Sequence, residues 1–242
     1  MIFFGLLAAA GNILGGFIIA RTGAASHKGM IRLVAVGAGF MLSAVLLEAL
    51  PRILEGNPDN WSFSLLCLLG GYLLIQIAEH AVAPHFHFGE EVHVDEVLRK
   101  GVATTAILAL TIHAVFDGVA IASGIFSSLR LGVFLSLAVL IHKIPEGFTV
   151  ASIVMSSGKG IGAARRATLV IALATFAGIV LVALFRPLLA YTLPLSAGVT
   201  LYVAASDLIP EVNREGGPQA SLLVLAGVGL YYLVHVILHA AI

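Results

Sequence analysis

The sequence has few charged residues, and this excludes an ordinary soluble domain. Only 11% of its 242 residues are Asp, Glu, Lys or Arg, whereas soluble domains average about 25%. Hydrophobic residues make up 60% of the chain, and its mean hydropathy is +1.05. We therefore expect an integral membrane protein whose first partner is the lipid bilayer.

The sequence also has only one cysteine and no net charge. The single cysteine, Cys67, excludes an intramolecular disulfide. Thirteen basic and thirteen acidic residues cancel. Because nucleic-acid-binding proteins carry a basic excess, no nucleic-acid partner is expected.

Eight apolar stretches are long enough to cross a bilayer, which takes about 20 residues per helix. They are residues 1–20, 32–51, 61–83, 101–123, 130–157, 165–185, 187–209 and 218–241. Their length favours helices, because strands of a transmembrane barrel would alternate polar and apolar residues over about ten positions. We expect one all-α transmembrane domain over 1–242, with a His-containing cytoplasmic loop at 84–100.

The basic residues are distributed unevenly between alternate loops. If the N-terminus is outside, nine of them lie in inner loops and three in outer loops. Cytoplasmic loops are normally the basic ones, so this distribution predicts that both termini are outside. The short loops favour a plasma (cytoplasmic, inner) membrane.

One motif occurs in both the fourth and the fifth stretch. His113 is followed four residues later by Asp117, and His142 four residues later by Glu146. Residues four apart share a helix face, and an acid at mid-membrane costs about 2.5–3.5 kcal/mol unless it has a partner. Two imidazoles and two carboxylates suit zinc and other first-row divalent ions. The motif predicts an intramembrane metal site; the alternative is two buried hydrogen-bonded pairs.

Other residues of the two stretches bear on this prediction. Lys143 lies three residues before Glu146, within reach of its carboxylate. We interpret it as an internal cation in place of a second metal; the alternative is a lysine that extends to the membrane interface. Pro145 predicts a kink, and Gly118 and Gly147, directly after the carboxylates, predict close helix packing.

The two ends of the chain share a second pattern. Residues 39–51 align without gaps with residues 198–210, and the acids Glu48 and Asp207 each precede a proline by three positions. These are the second and seventh stretches, which cross the bilayer in opposite directions. We predict a 3+2+3 arrangement, with spans 1–3 and 6–8 as inverted repeats around the central pair of spans 4 and 5. Such repeats are typical of secondary transporters.

At the twin motif the chain resembles the ZIP (Zrt/Irt-like) family of divalent metal transporters. The family reads His-Asn-x-x-Asp/Glu-Gly in span four and His-Glu-x-Pro-His/Glu in span five. The matching positions are His113, Asp117 and Gly118 in the first motif and His142, Pro145 and Glu146 in the second. The resemblance implies transport, not enzymatic activity. The substrate would be Zn²⁺, or Fe²⁺, Mn²⁺ or Cd²⁺, carried toward the cytoplasm by alternating access.

The resemblance also implies a ligand set and a subgroup. His113, Asp117, His142 and Glu146 would form the transport site, with Met41 of span two as a further ligand. The chain departs from the family where a second metal often binds: Ala114 replaces Asn, Lys143 replaces an acid, and Thr175 stands where span six often has Glu. One intramembrane metal is therefore expected. The oligomeric state stays open, with a homodimer as one alternative.

Further acids and histidines lie where ions would enter or leave. They are Glu48, Asp207, His80, His85, His87 and His93. We expect them to act as access or exit ligands; solvated helix ends and a solvated loop are the alternatives. For His235 and His239, four apart in the last span, we expect only packing or surface exposure.

Two other classes of protein would use the same ligands. An intramembrane zinc hydrolase keeps an open coordination position and needs a general base, but the sequence has no His-Glu-x-x-His segment. A metal-sensing receptor or channel would differ from a transporter only in flux, on which the sequence is silent.

Overall fold

The computed structural model describes residues 1–22, 27–82, 102–215 and 217–241, and all regular secondary structure in these ranges is helical. The long helices follow the predicted spans in order. They are α1 (Ile2–Thr22), α2 (His27–Ser43, Ala44–Ala49 and Leu50–Gly56), α3 (Trp61–Val82), α4 (Val102–Ser127), α5 (Leu129–Ser156), α6 (Ile161–Leu184), α7 (Leu189–Tyr202, Val203–Leu208 and Ile209–Glu215) and α8 (Pro218–Ala241).

Seven of the described helices, α2 to α8, are long and apolar enough to cross a membrane. In α1 the apolar stretch over Ile2–Ile18 is shorter. The all-helical prediction is confirmed for the described residues, and most bounds shift by only a few positions. The largest differences are at the ends of α2 and α7, which continue to Gly56 and Glu215. Charged residues there end the hydrophobic run but not the helix.

The central helices are enclosed by the others. Within their apolar windows, 67% of α4 and 61% of α5 are buried, against 17% of α3 and 11% of α8. Large apolar side chains on α3 and α8, such as Leu66 and Leu225, are exposed, as expected for helices that face lipid. The polar motifs therefore lie on helices that are among the best shielded from hydrocarbon, together with α2, of which 61% is buried.

The glycines of the twin motif bring neighbouring helices against the central pair. A Cβ atom on Gly118 would lie 1.9 Å from the carbonyl oxygen of Thr175 in α6, and one on Gly147 would lie 1.9 Å from that of Asn12 in α1. No side chain fits at these distances, so the backbones themselves are in contact. The predicted close packing at both glycines is confirmed.

Each of these contacts is reciprocal. A Cβ atom on Gly178 of α6 would lie 2.0 Å from the Val115 carbonyl oxygen, and one on Gly15 of α1 would lie 2.0 Å from that of Ile144. Close glycine contacts of this kind permit strong van der Waals packing between helices in lipid. The α4–α6 and α1–α5 pairs thus use the same packing device.

The other helices form two further glycine-mediated pairs. Gly39 of α2 faces the Val224 carbonyl oxygen of α8, and Gly198 of α7 faces the Leu68 carbonyl oxygen of α3. On the partner helices, Gly227 faces Val36 and Gly71 faces Leu195 in the same way. Gly39 and Gly198 are the first residues of the two aligned segments, so equivalent positions make equivalent contacts.

Both aligned segments also contain a π-helical stretch. In α2 it covers Ala44–Ala49 and in α7 it covers Val203–Leu208, at the same positions of the alignment. Each stretch has an acid, Glu48 or Asp207, as its fifth residue. π-Helical turns are rare and occur frequently at functional sites. In α5, by contrast, the α-helix continues through Pro145.

We expect Gly71→Leu to lower the free energy of unfolding, because a side chain there has no room beside the Leu195 carbonyl oxygen. Overpacking of this kind costs about 1–3 kcal/mol or more. Gly70→Leu is the matched control, since Gly70 is exposed and a Cβ atom there would meet nothing within 4 Å. Thermal unfolding in detergent micelles measures both; equal shifts would contradict the packing argument.

Candidate metal centre

The four residues of the twin motif meet between α4 and α5. His113, Asp117, His142 and Glu146 are all buried, and none is more than 5% exposed. One ligand atom from each lies within 4.8 Å of the others. Because each helix carries its histidine and carboxylate on successive turns of one face, two facing helices are enough to assemble the group.

Three of the ligand atoms have the spacing of a metal site. The His113 Nε2 atom is 3.2 Å from Asp117 Oδ2, the His142 Nε2 atom is 3.4 Å from the same oxygen, and the two Nε2 atoms are 3.4 Å apart. Zinc bonds of about 2.1 Å in a tetrahedral site place neighbouring ligand atoms roughly 3.4 Å apart. The triangle therefore already has the dimensions of one face of a coordination tetrahedron.

A backbone hydrogen bond fixes the orientation of one imidazole. His142 Nδ1–H donates to the Ala138 carbonyl oxygen over 2.9 Å. A carbonyl can only accept, so Nδ1 carries a proton, and in the neutral imidazole Nε2 is left with the lone pair that can bind a metal ion. Metal-binding histidines are typically held by such a bond from their second nitrogen.

Lys143 lies directly against both carboxylates. Its Nζ atom is 2.7 Å from Asp117 Oδ2 and is also bonded to Glu146 Oε2. The side chain is fully buried, and its Cβ lies 3.4 Å from the position that a Cβ of Gly11 in α1 would occupy. An ammonium ion in hydrocarbon needs such partners. It contacts two of the four predicted ligands, so it stands where a cation would be held.

Three other predicted site residues do not belong to this group of four. Met41 is completely buried in an apolar cluster that includes Ala114 and Ala138. Ala114 follows His113 in the sequence, and the Ala138 carbonyl oxygen accepts the hydrogen bond from His142. Glu48 lies in the π-helical stretch of α2 and pairs with Arg130 at 3.0 Å. Asp207 lies in that of α7 and is only 4% exposed.

The side chains of the remaining predicted ligands lie outside the described part of the chain. His80 lies in the last turn of α3, and only its backbone is described. His85, His87 and His93, with the predicted cytoplasmic loop at 84–100, lie outside the described residues.

Two polar residues border the centre from the neighbouring helices. Asn12 of α1 is completely buried, and neither atom of its amide has a hydrogen-bond partner among the described residues. Its backbone contacts Gly147, next to Glu146. Asn12 was not among the predicted site residues, although a polar amide inside an apolar stretch is a signal that the sequence contains. Thr175 of α6 is buried at the matching contact with Gly118.

Comparison with known proteins gives consistent matches. The sequence model described as "ZIP Zinc transporter" matches residues 87–235. Zinc transporter ZIP9 of Micropogonias undulatus is 31% identical over 179 residues, covering 67% of this chain. Zinc transporter YKE4 of Saccharomyces cerevisiae is 22% identical over 218 residues, covering 78% of this chain. Zinc transporter ZIP4 of Homo sapiens is 31% identical over 123 residues, covering 49% of this chain.

The chain is shorter than these relatives, spanning 56% of the length of ZIP9, 63% of YKE4 and 19% of ZIP4. The matched family region nevertheless contains both copies of the His–carboxylate motif and more than half of the residues. The resemblance identified from the motif is thereby confirmed: the chain is an integral membrane protein that belongs to the ZIP zinc transporter family.

Proposed function

We propose that the protein transports zinc, or a similar divalent transition metal, across a membrane through one site. Its ligands are His113, Asp117, His142 and Glu146. The observation that supports this most directly is the triangle of two imidazole nitrogens and one carboxylate oxygen, with edges of 3.2–3.4 Å. The same nitrogen and oxygen ligands accept Fe²⁺, Mn²⁺ and Cd²⁺.

Met41 is proposed as a further ligand, used during part of the transport cycle. Its thioether is completely buried in an otherwise apolar cluster beside the centre. A soft, neutral sulfur adds no charge to a site that already contains two carboxylates.

The proposed mechanism is alternating access with net movement toward the cytoplasm. An inverted 3+2+3 repeat would provide the two states that alternating access needs. When α1–α3 and α6–α8 exchange their conformations, a site open to one side of the membrane becomes open to the other. The glycine contacts support this arrangement: the exchange converts the α4–α6 contact into α5–α1, and α2–α8 into α7–α3. The paired π-helical stretches support it as well.

The proposed orientation has both termini outside a plasma membrane. It is supported by nine basic residues in the inner loops against three in the outer loops. Glu48 would then lie toward the outer side and Asp207 toward the inner side. In this orientation they are proposed as access and exit ligands, with His80, His85, His87 and His93 as cytoplasmic collectors.

We propose that Lys143 limits the centre to a single ion. Its ammonium already pairs with Asp117 and Glu146, so it supplies the charge that a second dication would otherwise bring. When a metal ion binds the four ligands, the ammonium must give up at least part of these contacts. Lys143 therefore also keeps binding weak enough for release.

Asp117→Asn should abolish zinc uptake into proteoliposomes, because Asp117 Oδ2 is the oxygen shared by both imidazoles and the ammonium. The substitution keeps the shape of the side chain and removes its charge. Asp59→Asn, the same change at an exposed position, should leave uptake unaltered. Equal uptake by the two variants would refute the proposed path through this centre.

The metal centre of the purified chain should hold a single ion, counted as the binding that is lost when the centre is disabled. Equilibrium dialysis against Zn²⁺ or Cd²⁺, with His113→Ala as the reference for loss of the centre, measures this number. The one-metal proposal would be overturned if the chain with Lys143 intact bound a second ion and this ion were also lost in His113→Ala.

Lys143→Met should tighten metal binding by about tenfold or more, equivalent to at least about 1.4 kcal/mol. The reason is that removing one member of a buried ion pair leaves uncompensated charge, which usually costs about 3–5 kcal/mol. The metal-free variant should therefore melt earlier, and added Zn²⁺ should restore much of its stability. An unchanged Kd would show that Lys143 does not compete with the ion.

A further inference from the structure

A second polar cluster joins α2, α5 and α8 at a distance from the metal centre. It consists of Glu48, Arg130, Tyr231, His235 and His239, and we call it the Arg130 cluster. At 1.5 Å per residue, Arg130 lies roughly 18 Å along α5 from His142. The cluster therefore occupies one end of the helix bundle.

Arg130 is bonded to acidic and histidine side chains at once. Its guanidinium lies 3.0 Å from Glu48 Oε1 and 3.4 Å from Glu48 Oε2. It is 2.8 Å from His235 Nδ1 and 3.5 Å from His239 Nδ1. The guanidinium nitrogen nearest to His235 Nδ1 also lies 3.2 Å from His235 Nε2, so it contacts the His235 ring at both nitrogens. One carboxylate and two imidazoles thus surround a single cation.

Glu48, His235 and His239 are side chains of the types that bind transition metals. His235 and His239 are four apart on one face of α8, with rings nearly parallel at 4° and centroids 6.3 Å apart. Histidines at this spacing bind one metal ion jointly in known helical sites. Glu48 adds a carboxylate whose Oε2 is 3.7 Å from His235 Nδ1. Two nitrogens and a carboxylate suit zinc and related ions.

The cluster is open to ions, unlike the metal centre. Side-chain exposure is 35% for His235, 29% for Arg130 and 14% for Glu48, whereas the four ligands of the centre are almost completely enclosed. A hydrated ion at this end of the bundle would meet these ligands first. The Tyr231 hydroxyl, which donates to Glu48 Oε2 over 3.4 Å, helps to hold the carboxylate in place.

We propose that Glu48, His235 and His239 bind a divalent transition metal ion, and that Arg130 occupies its place until the ion arrives. In the orientation proposed above this is an outer loading site. That role rests on the proposed transport function, whereas the binding of the ion does not. Because Arg130 belongs to α5, its displacement also breaks the polar contacts of that helix with Glu48 of α2 and His235 of α8.

The test measures metal binding in a protein whose centre has been disabled. With Asp117→Asn and His142→Ala as the background, Cd²⁺ binding in nanodiscs is followed by titration calorimetry. We expect one weakly bound ion. Adding Arg130→Gln should tighten it by about tenfold or more, since its internal competitor is removed. Adding His235→Ala with His239→Ala should abolish it.

Arg186→Gln is the matched control, because Arg186 packs on the Phe126 ring 4.6 Å away and does not belong to the cluster. It should leave Cd²⁺ binding unaltered. The Arg130→Gln protein could have the same thermal stability as its background and still bind no ion that depends on His235 and His239. The Arg130 cluster would then only hold the helices together, and the proposal would be overturned.

A second measurement uses the unmutated chain and does not require Arg130→Gln to fold. Cd²⁺ should protect His235 and His239 from diethyl pyrocarbonate, with the modified residues identified by mass spectrometry. Equal modification with and without saturating Cd²⁺ would overturn the proposal. Both assays record binding at the Arg130 cluster alone, so they stand even if the Asp117→Asn experiment refutes transport through the centre.

Discussion

The ion set formed by Lys143, Asp117 and Glu146 is the constraint on which the rest of the architecture depends. Neither an ammonium nor a carboxylate can remain charged alone in a low-dielectric interior, and their attraction offsets desolvation only when the geometry is close. The three groups must therefore be enclosed by protein. This requirement accounts for the burial of α4 and α5, and for the glycines that allow α1 and α6 to approach them at backbone distance.

The same constraint links the two polar clusters. In each, a basic side chain of α5 contacts acidic side chains: Lys143 at the metal centre and Arg130 near the end of the bundle. Arg130 also contacts histidine directly, whereas Lys143 shares the Asp117 carboxylate with the histidines of the centre. A site of this kind keeps its ligands assembled without an ion, because the internal cation compensates their charge. As proposed for both clusters, it also holds an incoming dication less tightly than an empty ligand set would. The proposed transport requires both properties, since a site that binds too tightly does not release its ion.

The sequence predicted the parts of the structure that depend on local spacing. Hydropathy located the helices, and the four-residue separation in each motif placed His113 with Asp117 and His142 with Glu146 on common faces. The Arg130 cluster was missed because Glu48, Arg130 and His235 come from three helices distant along the chain. Nothing in their local spacing indicates that they meet. The continuation of α2 and α7 past their apolar runs was missed because hydropathy reports the membrane boundary, not the helix end.

The glycine contacts also show how a repeated motif becomes unequal in its two copies. Asn12 in α1 and Thr175 in α6 occupy matching positions, each with its carbonyl against the glycine that follows a motif carboxylate. The backbones around α4 and α5 are thus alike, while the side chains differ: Ala114 follows one histidine and Lys143 follows the other. Only the second can place a charge beside the carboxylates. A frame that is nearly symmetric in its backbone therefore contains a centre that is asymmetric in its electrostatics. This asymmetry is what the proposal of a single ion rests on, because the ammonium is present in one half of the centre alone.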